Sequence, residues 1–362
     1  MMPKSLRILG AGKIGIQEGK KPQPNDHQIL IKVVACGQNP LDVGVVGITA
    51  NISEFADFYT GNTIGCDFAG IVESTGSLTT RFQPGDRVAG FVPGNLQDQG
   101  AFAEFLVTEE AFSARIPDDV SFEQAATIGV AASTAAISLY SHLNLPRRRK
   151  DPNPFKEFIL VNGGSSAMGT MVIQIAKMSG AKVIALASSK NFGLVQSYGA
   201  DKVFDYHDPN AVTLIKNYTD NALELVVNCV PTTETCRLIC DCISPKGGKC
   251  VNLVQVDTSG AEFRKDVKFS LFMAFQVFNE AFVLGPELYA PSQELRELLA
   301  DFWQEMDEDL LPKKLLKFHQ LKIIQGGLEG VVESHRQMRD QRISGWKFVA
   351  RISDTPGVTL LH

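Results

Sequence analysis

The chain has no C-x-x-C pair, no apolar run near the ~20 residues of a membrane span, and no excess of positive charge. Each absence excludes a class. The seven cysteines, at 36, 66, 229, 236, 240, 242 and 250, are odd in number and fit no disulfide framework, which points to a reducing, cytoplasmic location. Cys236 and Cys240 share a helical face, but no histidine lies near, so core packing is their expected role. A net charge of −5 and a pI near 5.8 exclude an overall basic field for nucleic acid or anionic lipid. The one basic run, Arg147-Arg148-Arg149-Lys150, abuts Asp151-Pro152-Asn153-Pro154 and reads as a solvated loop. Met-Met-Pro-Lys-Ser leads into a polar segment and does not read as a signal peptide. The sequons at Asn51 and Asn217 mean little without secretion. There is no internal repeat and no low-complexity stretch. What remains is a globular protein with a hydrophobic fraction of 44% and a charged fraction of 21%, at 362 residues long enough for two domains.

The most informative stretch is Phe158–Met178. The apolar run Phe158-Ile159-Leu160-Val161 suits a buried parallel strand. A small-residue turn, Asn162 to Gly169, follows. Met171, Val172, Ile175, Ala176 and Met178 then recur at helical spacing. Strand, glycine-rich turn and helix make a dinucleotide site, because small residues admit a pyrophosphate and the helix start offers free N–H groups. Read as G-x-G-x-x-G, the frame is Gly164-x-Ser166-x-x-Gly169, with Ser166 at the middle position. An ordinary tight strand–helix turn is the alternative. A serine-hydrolase elbow is excluded, since Met168 stands where the last glycine of G-x-S-x-G is needed.

Residues 1 to about 125 read as all-β. Strands are expected at 29–35, 64–72, 85–91 and 100–107, with glycine and proline punctuation that suggests a barrel or sandwich. Ser121 and Gln124 form a capping-box pattern that starts a helix, and small residues follow to Ala136. From 158 to 254 strands and helices alternate, which predicts a parallel doubly wound sheet. The tail from about 290 is helical in pattern and ends in the alternating run 346–352.

These features together resemble the medium-chain dehydrogenase/reductase superfamily. The motifs are Asn39-Pro40-Leu41-Asp42, Gly65-Cys66-Asp67-Phe68-Ala69-Gly70, Gly85-Asp86-Arg87-Val88, Gly100 to Phe105 and Ser344-Gly345-Trp346-Lys347. More narrowly, Ser133-Thr134-Ala135, Gly163 to Ser166, Ser189-Lys190-Asn191-Phe192 and Val203-Phe204-Asp205-Tyr206 resemble the fungal trans-acting enoyl reductases of polyketide synthases. The resemblance implies an α/β architecture: a GroES-like β-barrel catalytic domain over 1–125 and 290–362, and a Rossmann NADP-binding domain over 126–289.

Zinc-dependent members need a Cys, a His-Glu pair and a second Cys or Asp, plus a four-cysteine lobe. Here Cys36 is near the first position, Cys66-Asp67 replaces His-Glu, and Pro93–Gln99 has no cysteine. Without the histidine the ligand set is incomplete, so a zinc-free enzyme is expected. It would take NADPH and reduce a conjugated alkene.

The resemblance places Leu41, Asp42, Ser166, Ala167, Met168, Gly169, Leu253, Val254, Gly345 and Trp346 on the cofactor. After the second strand stand Ala187-Ser188-Ser189-Lys190, with no acid to repel a 2′-phosphate. Ser189, Lys190, Asn191 and Phe192, with Tyr206, therefore favour NADPH; a solvated lysine and a strand-end tyrosine are the plain alternatives. Thr134 is the expected catalytic residue, with Ala135 beside the substrate. Met273, Phe275, Phe278 and Phe282 would line a greasy acyl pocket, unless they are plain core.

One position departs from the pattern. The family's lysine, two residues after N-P-x-D, is Gly44 here. The proton donor is then open, and a fold-retaining cyclase or a non-catalytic partner stands as an alternative. The implied partners are a small or carrier-bound acyl substrate and a polyketide synthase, with the chain a monomer or homodimer.

Overall fold

The computed structural model describes residues 2–51, 57–96, 98–148, 155–256, 263–340 and 343–358. Arg149 and Lys150 of the basic run, and the Asp151 to Pro154 stretch, lie outside them. The chain divides into two compact units: Met1–Val130 with Phe275–His362, and Ala131–Ala274.

The first unit is built on one sheet. Its strand order is Leu321–Ile324, Lys347–Arg351, Gln28–Gly37, Asp67–Thr75, Arg87–Phe91 and Ser113–Arg115, with Phe105–Glu109 also paired to Gln28–Gly37. All pairs are antiparallel except the first. Two hairpins, Lys4–Gly10 with Lys13–Glu18 and Phe282–Leu284 with Glu287–Tyr289, add strands that the sequence pattern did not announce.

The all-β reading of residues 1–125 needs correction, because Pro40–Asn51 is a helix. Its glycines and β-branched valines are poor helix formers, so propensity hid it. Proline suits the first helical position. The Asn39 N–H donates back to Asp42 Oδ2 at 2.7 Å, and Asp42, Val45 and Thr49 are buried. Tertiary burial therefore holds a helix that the local sequence does not favour. The Ser121–Gln124 capping box is present as expected, opening the helix Phe122–Ala125.

Phe275, Phe278 and Phe282 also move. They are 3%, 6% and 5% exposed. Phe278 lies 5.2 Å from both Phe91 and Phe112, and Phe275 lies 6.1 Å from Phe91. Phe282 stacks on Tyr289 at 5.2 Å. The expected greasy lining is an aromatic core.

A buried polar cluster ties the first unit together. Lys347 Nζ pairs with Asp67 Oδ2 and donates to Asn39 Oδ1 at 3.0 Å, with both charged side chains almost fully buried. The other Asp67 oxygen accepts the Val130 N–H at 2.6 Å, at the start of the helix Gly129–Ala136. Beside it, Asp42 Oδ1 accepts from Asn95 Nδ2 at 2.9 Å and faces Cys66 Sγ at 3.6 Å.

The second unit is a six-stranded parallel sheet. Its order is Lys202–Asp205, Lys182–Ala187, Phe158–Asn162, Leu225–Asn228, Gly248–Asn252 and Val267–Ser270. By chain order this is 3-2-1-4-5-6, the doubly wound arrangement. Its buried cluster includes Leu160, Ile184, Leu186, Val226, Ile239 and Cys240. Cys236, Cys240, Cys242 and Cys250 are buried too, which agrees with their expected packing role.

Two stability predictions follow from the buried cluster. Lys347→Met strands Asp67 without its counter-charge, and a loss of about 3–5 kcal/mol is expected in urea unfolding. A loss under about 1 kcal/mol would mean that the pair is not sealed from water. Burial pushes the Asp42 carboxyl up to about 7, against the opposing pull of the Asn95 and Asn39 donors. The folded value lies above the ordinary carboxylate range. The stabilisation is therefore complete below about pH 4 and is lost as pH rises through 7. Wild type should lose stability relative to Asp42→Asn across that window, and a pH-independent difference would contradict this.

Candidate functional site

The first βα turn of the parallel sheet carries the strongest geometry. Gly163 has φ +76°, a conformation that favours glycine, and turns the chain out of the strand. Ser166 then caps the helix Ala167–Met178: its Oγ accepts the Gly169 N–H at 2.9 Å and donates to Gly163 O at 2.7 Å. A Cβ on Gly169 would lie 2.3 Å from Gly163 O, so helix and strand meet here only without a side chain. The amides of Ala167 and Met168, in the first turn, have no intrahelical acceptor. With the positive end of the helix dipole they form a cradle for an anionic group. A dinucleotide pyrophosphate fits this arrangement.

The second turn lies beside it. Ser189–Asn191 form a short 3-10 turn, and Phe192–Ser197 continues as helix. Asn191 joins the two turns: its Nδ2 donates to Ser165 Oγ at 3.1 Å and to Ser188 Oγ at 3.2 Å. Ser189 and Lys190 are exposed, and Phe192 is half-buried. Among the described residues, Lys190 has no ion pair. Tyr206 is exposed just past the Lys202–Asp205 strand.

The expectation that no acid stands here is corrected. The residues after the second strand include no acid, but the register pairs Ala187 with Asp205 of the next strand. Asp205 Oδ2 accepts the Ser189 N–H at 3.1 Å. Its other oxygen accepts the His207 N–H at 2.9 Å and contacts His207 Nδ1 at 3.0 Å. The His207 amide and ring, with the Ser189 amide, hold the Asp205 carboxyl below the usual range.

At the switch point of the strand order, three asparagines meet. Asn162 Nδ2 donates to Asn228 Oδ1 at 2.7 Å, and Asn228 Nδ2 donates to Asn252 Oδ1 at 3.0 Å. None of the three is among the expected site residues: Asn162 opens the turn after its strand, and Asn228 and Asn252 fall inside the expected strands 223–229 and 248–254. Leu253 and Val254 follow Asn252, and Val254 is exposed and lines a cavity of about 300 Å³ with Cys236, Asn252, Phe263 and Phe269. In the same unit Thr134 is half-buried, and its carbonyl accepts from Ser138 Oγ at 2.7 Å. Among the described residues its hydroxyl has no partner. Ala135 is fully buried and has no surface to offer a substrate.

The remaining expected residues lie in the first unit. Leu41 is half-buried; Asp42 is sealed, with its carboxylate bonded as described. Gly345 has φ +80°, and Trp346 is exposed with Lys322 Nζ 4.8 Å from its ring. Gly44 is exposed on the Pro40–Asn51 helix.

The residues at the expected metal position do not fit zinc. Asp67 is already paired with the Lys347 ammonium. Burial pushes the Cys36 and Cys66 thiols well up, the opposite of the thiolate a metal needs. Among the described residues, no three His, Cys, Asp or Glu side chains are grouped to hold a metal ion. No helix among them is long and apolar enough to cross a membrane.

Comparison with known proteins agrees with this architecture. Residues 25–118 match the alcohol dehydrogenase GroES-like domain, and residues 167–304 match the family described as zinc-binding dehydrogenase. The chain is 36% identical to the trans-enoyl reductase thnE of Trichoderma harzianum, over 95% of each chain. It is 35% identical to the trans-enoyl reductase grgB of a Penicillium species, over 97% of this chain and 99% of that one. The fold is similar to the crystal structure of the CurK enoyl reductase, with a TM-score of 0.76, 20% identity, and 97% and 99% of the two chains covered. The chain belongs to the trans-enoyl reductases, oxidoreductases of the medium-chain dehydrogenase/reductase superfamily that work with a nicotinamide cofactor.

Proposed function

We propose that this chain reduces the conjugated C=C of a polyketide-type acyl intermediate, carried by a polyketide synthase, with NADPH and without zinc. The observation that carries the NADPH reading is the joined pair of turns. Asn191 fixes Ser165 and Ser188 together, beside an exposed lysine with no competing partner among the described residues. Ala167 and Met168 bind the pyrophosphate through their amides, and Ser166 keeps the helix start in shape. Ser189, Lys190 and Tyr206 take the 2′-phosphate. Leu253 and Val254 bound the nicotinamide. When bound, the reduced nicotinamide supplies hydride to the β-carbon of the alkene. The Thr134 hydroxyl would donate a hydrogen bond to the substrate oxygen, where negative charge develops, and a proton from water would complete the α-carbon.

Gly44 favours a second reading, a cyclase that shapes the intermediate without net redox change. A Cβ on Gly44 would meet nothing within 4 Å, so the family's lysine could be accommodated.

Titration of the protein with NADPH and NADH tests the cofactor reading. Lys190→Ala should weaken NADPH binding about tenfold or more and leave NADH nearly unchanged, the size of one lost charge-assisted hydrogen bond. An equal loss for both would mean that the phosphate lies elsewhere. For the reaction, 340 nm absorbance should fall with an enoyl thioester and NADPH. Conversion of a polyene thioester without NADPH would favour the cyclase. Gly44→Lys should also raise stability by roughly 0.5–1 kcal/mol, as a helical glycine is replaced in open space.

A further inference from the structure

Asp205 is an awkward neighbour for a 2′-phosphate. The acid that ordinarily holds a ribose hydroxyl ends the second strand of a doubly wound sheet; Asp205 ends the third, level with Ala187 at the end of the second, and a carboxylate there repels a phosphate dianion. Yet Asp205 is not bare. One oxygen is held by the Ser189 amide, on the very turn proposed to meet the phosphate. The other is held by the backbone and ring of His207. The His207 side chain is 67% exposed against 25% for Asp205, so the histidine forms the outer layer. Its ring lies against Tyr206, with centroids 4.1 Å apart.

We propose that His207 and Asp205 act as a proton-operated selector of the cofactor: protonated His207 masks the Asp205 carboxylate and favours NADPH, and neutral His207 unmasks it and favours NADH. This inference rests on the cofactor reading above. Histidine is the side chain whose charge ordinarily changes between about pH 5 and 8. The Nδ1 contact with Asp205 leaves Nε2 as the outward nitrogen, free to donate to a phosphate oxygen when the ring is charged.

The surrounding charges leave the effect to this pair. Asp208 follows in the chain, and its carboxylate accepts the Asn210 N–H at 2.8 Å. Lys190 is the cation on the neighbouring turn. The Phe192–Ser197 helix, packed on this strand, carries no charge. The Ala211–Tyr218 helix carries only Lys216, in its last turn.

The test is binding of NADPH and NADH to the whole chain, followed by intrinsic fluorescence at pH 6 and pH 8.5, in wild type and His207→Gln. Comparison with the variant cancels the titration of the phosphate itself, which falls near pH 6. The NADPH-over-NADH preference of wild type should fall about threefold to fivefold more than that of His207→Gln, the scale of an exposed charge interaction. His207→Lys should hold the preference high at both pH values. Asp205→Asn with His207→Gln should restore the preference and make it insensitive to this switch. A clear preference for NADPH with the same pH course in wild type and His207→Gln overturns the selector and leaves the cofactor reading standing. Equal binding of both cofactors by every variant, at both pH values, overturns the two together.

Discussion

At the carboxyl edge of the parallel sheet, Asn228 accepts from Asn162 and donates to Asn252, so side-chain amides run across three strand ends. The three are 4%, 0% and 8% exposed, which leaves little water to replace a lost partner. They also stand opposite one another in register, Asn162 with Asn228 and Asn228 with Asn252. A one-residue slip of the central strand would break both amide bonds and turn its apolar residues the wrong way. The ladder thus fixes the level at which Gly163, Cys229 and Leu253 leave the sheet. The same register logic on the other side brings Asp205 level with Ala187. The turns that carry the proposed cofactor residues are placed by pairing, and their own sequences only shape them.

The first unit solves a different problem. Its buried polar groups Asp42, Cys66, Asp67, Asn95 and Lys347 are satisfied by one another. Asp67 is shared between the Lys347 ammonium and the Val130 amide, so one carboxylate holds a strand and a helix start. Asn95 reaches three partners, donating to Asp42 at 2.9 Å and to Cys66 Sγ at 3.2 Å while its oxygen accepts the Gly65 N–H at 3.1 Å. The Lys347 ammonium balances the Asp67 charge, and the Asn95 amide supplies Asp42 with a hydrogen bond. Buried charge of this kind is costly to disrupt, though not to replace as a whole.

The central sheet was legible because its signals are local. Short apolar runs, a small-residue turn and helical periodicity each lie within a few residues, and the strand Lys182–Ala187 was placed to the residue. The Cys66-Asp67 replacement and the lack of cysteine at 93–99 were equally plain. What escaped depends on contacts distant in sequence. The Pro40–Asn51 helix is held by burial against its own propensity. The aromatic residues at 275, 278 and 282 are spaced like a lining, and only packing on Phe91, Phe112 and Tyr289 makes them core. Asp205 lies within the Val203 to Tyr206 motif, but its nearness to Ser189 depends on the strand register. The Lys347–Asp67 pair spans 280 residues, which no window along the chain can see.

Selectivity at an exposed turn cannot come from charge alone. An exposed lysine facing a phosphate is screened by salt and must give up side-chain freedom, so its isolated worth is small. Geometry fixed in advance lowers that cost. Asn191 draws Ser165 and Ser188 together before any ligand arrives, and the Asp205 carboxylate holds the Ser189 amide and the His207 ring at one point. A ligand that fits these fixed groups has less to order on binding. The same carboxylate is what makes the arrangement two-sided, because the group that fixes the turn also carries the charge that the proposed phosphate would face. A fixed acid with a titratable cover can therefore serve both as scaffold and as discriminator, and the two roles cannot be separated by moving the acid alone.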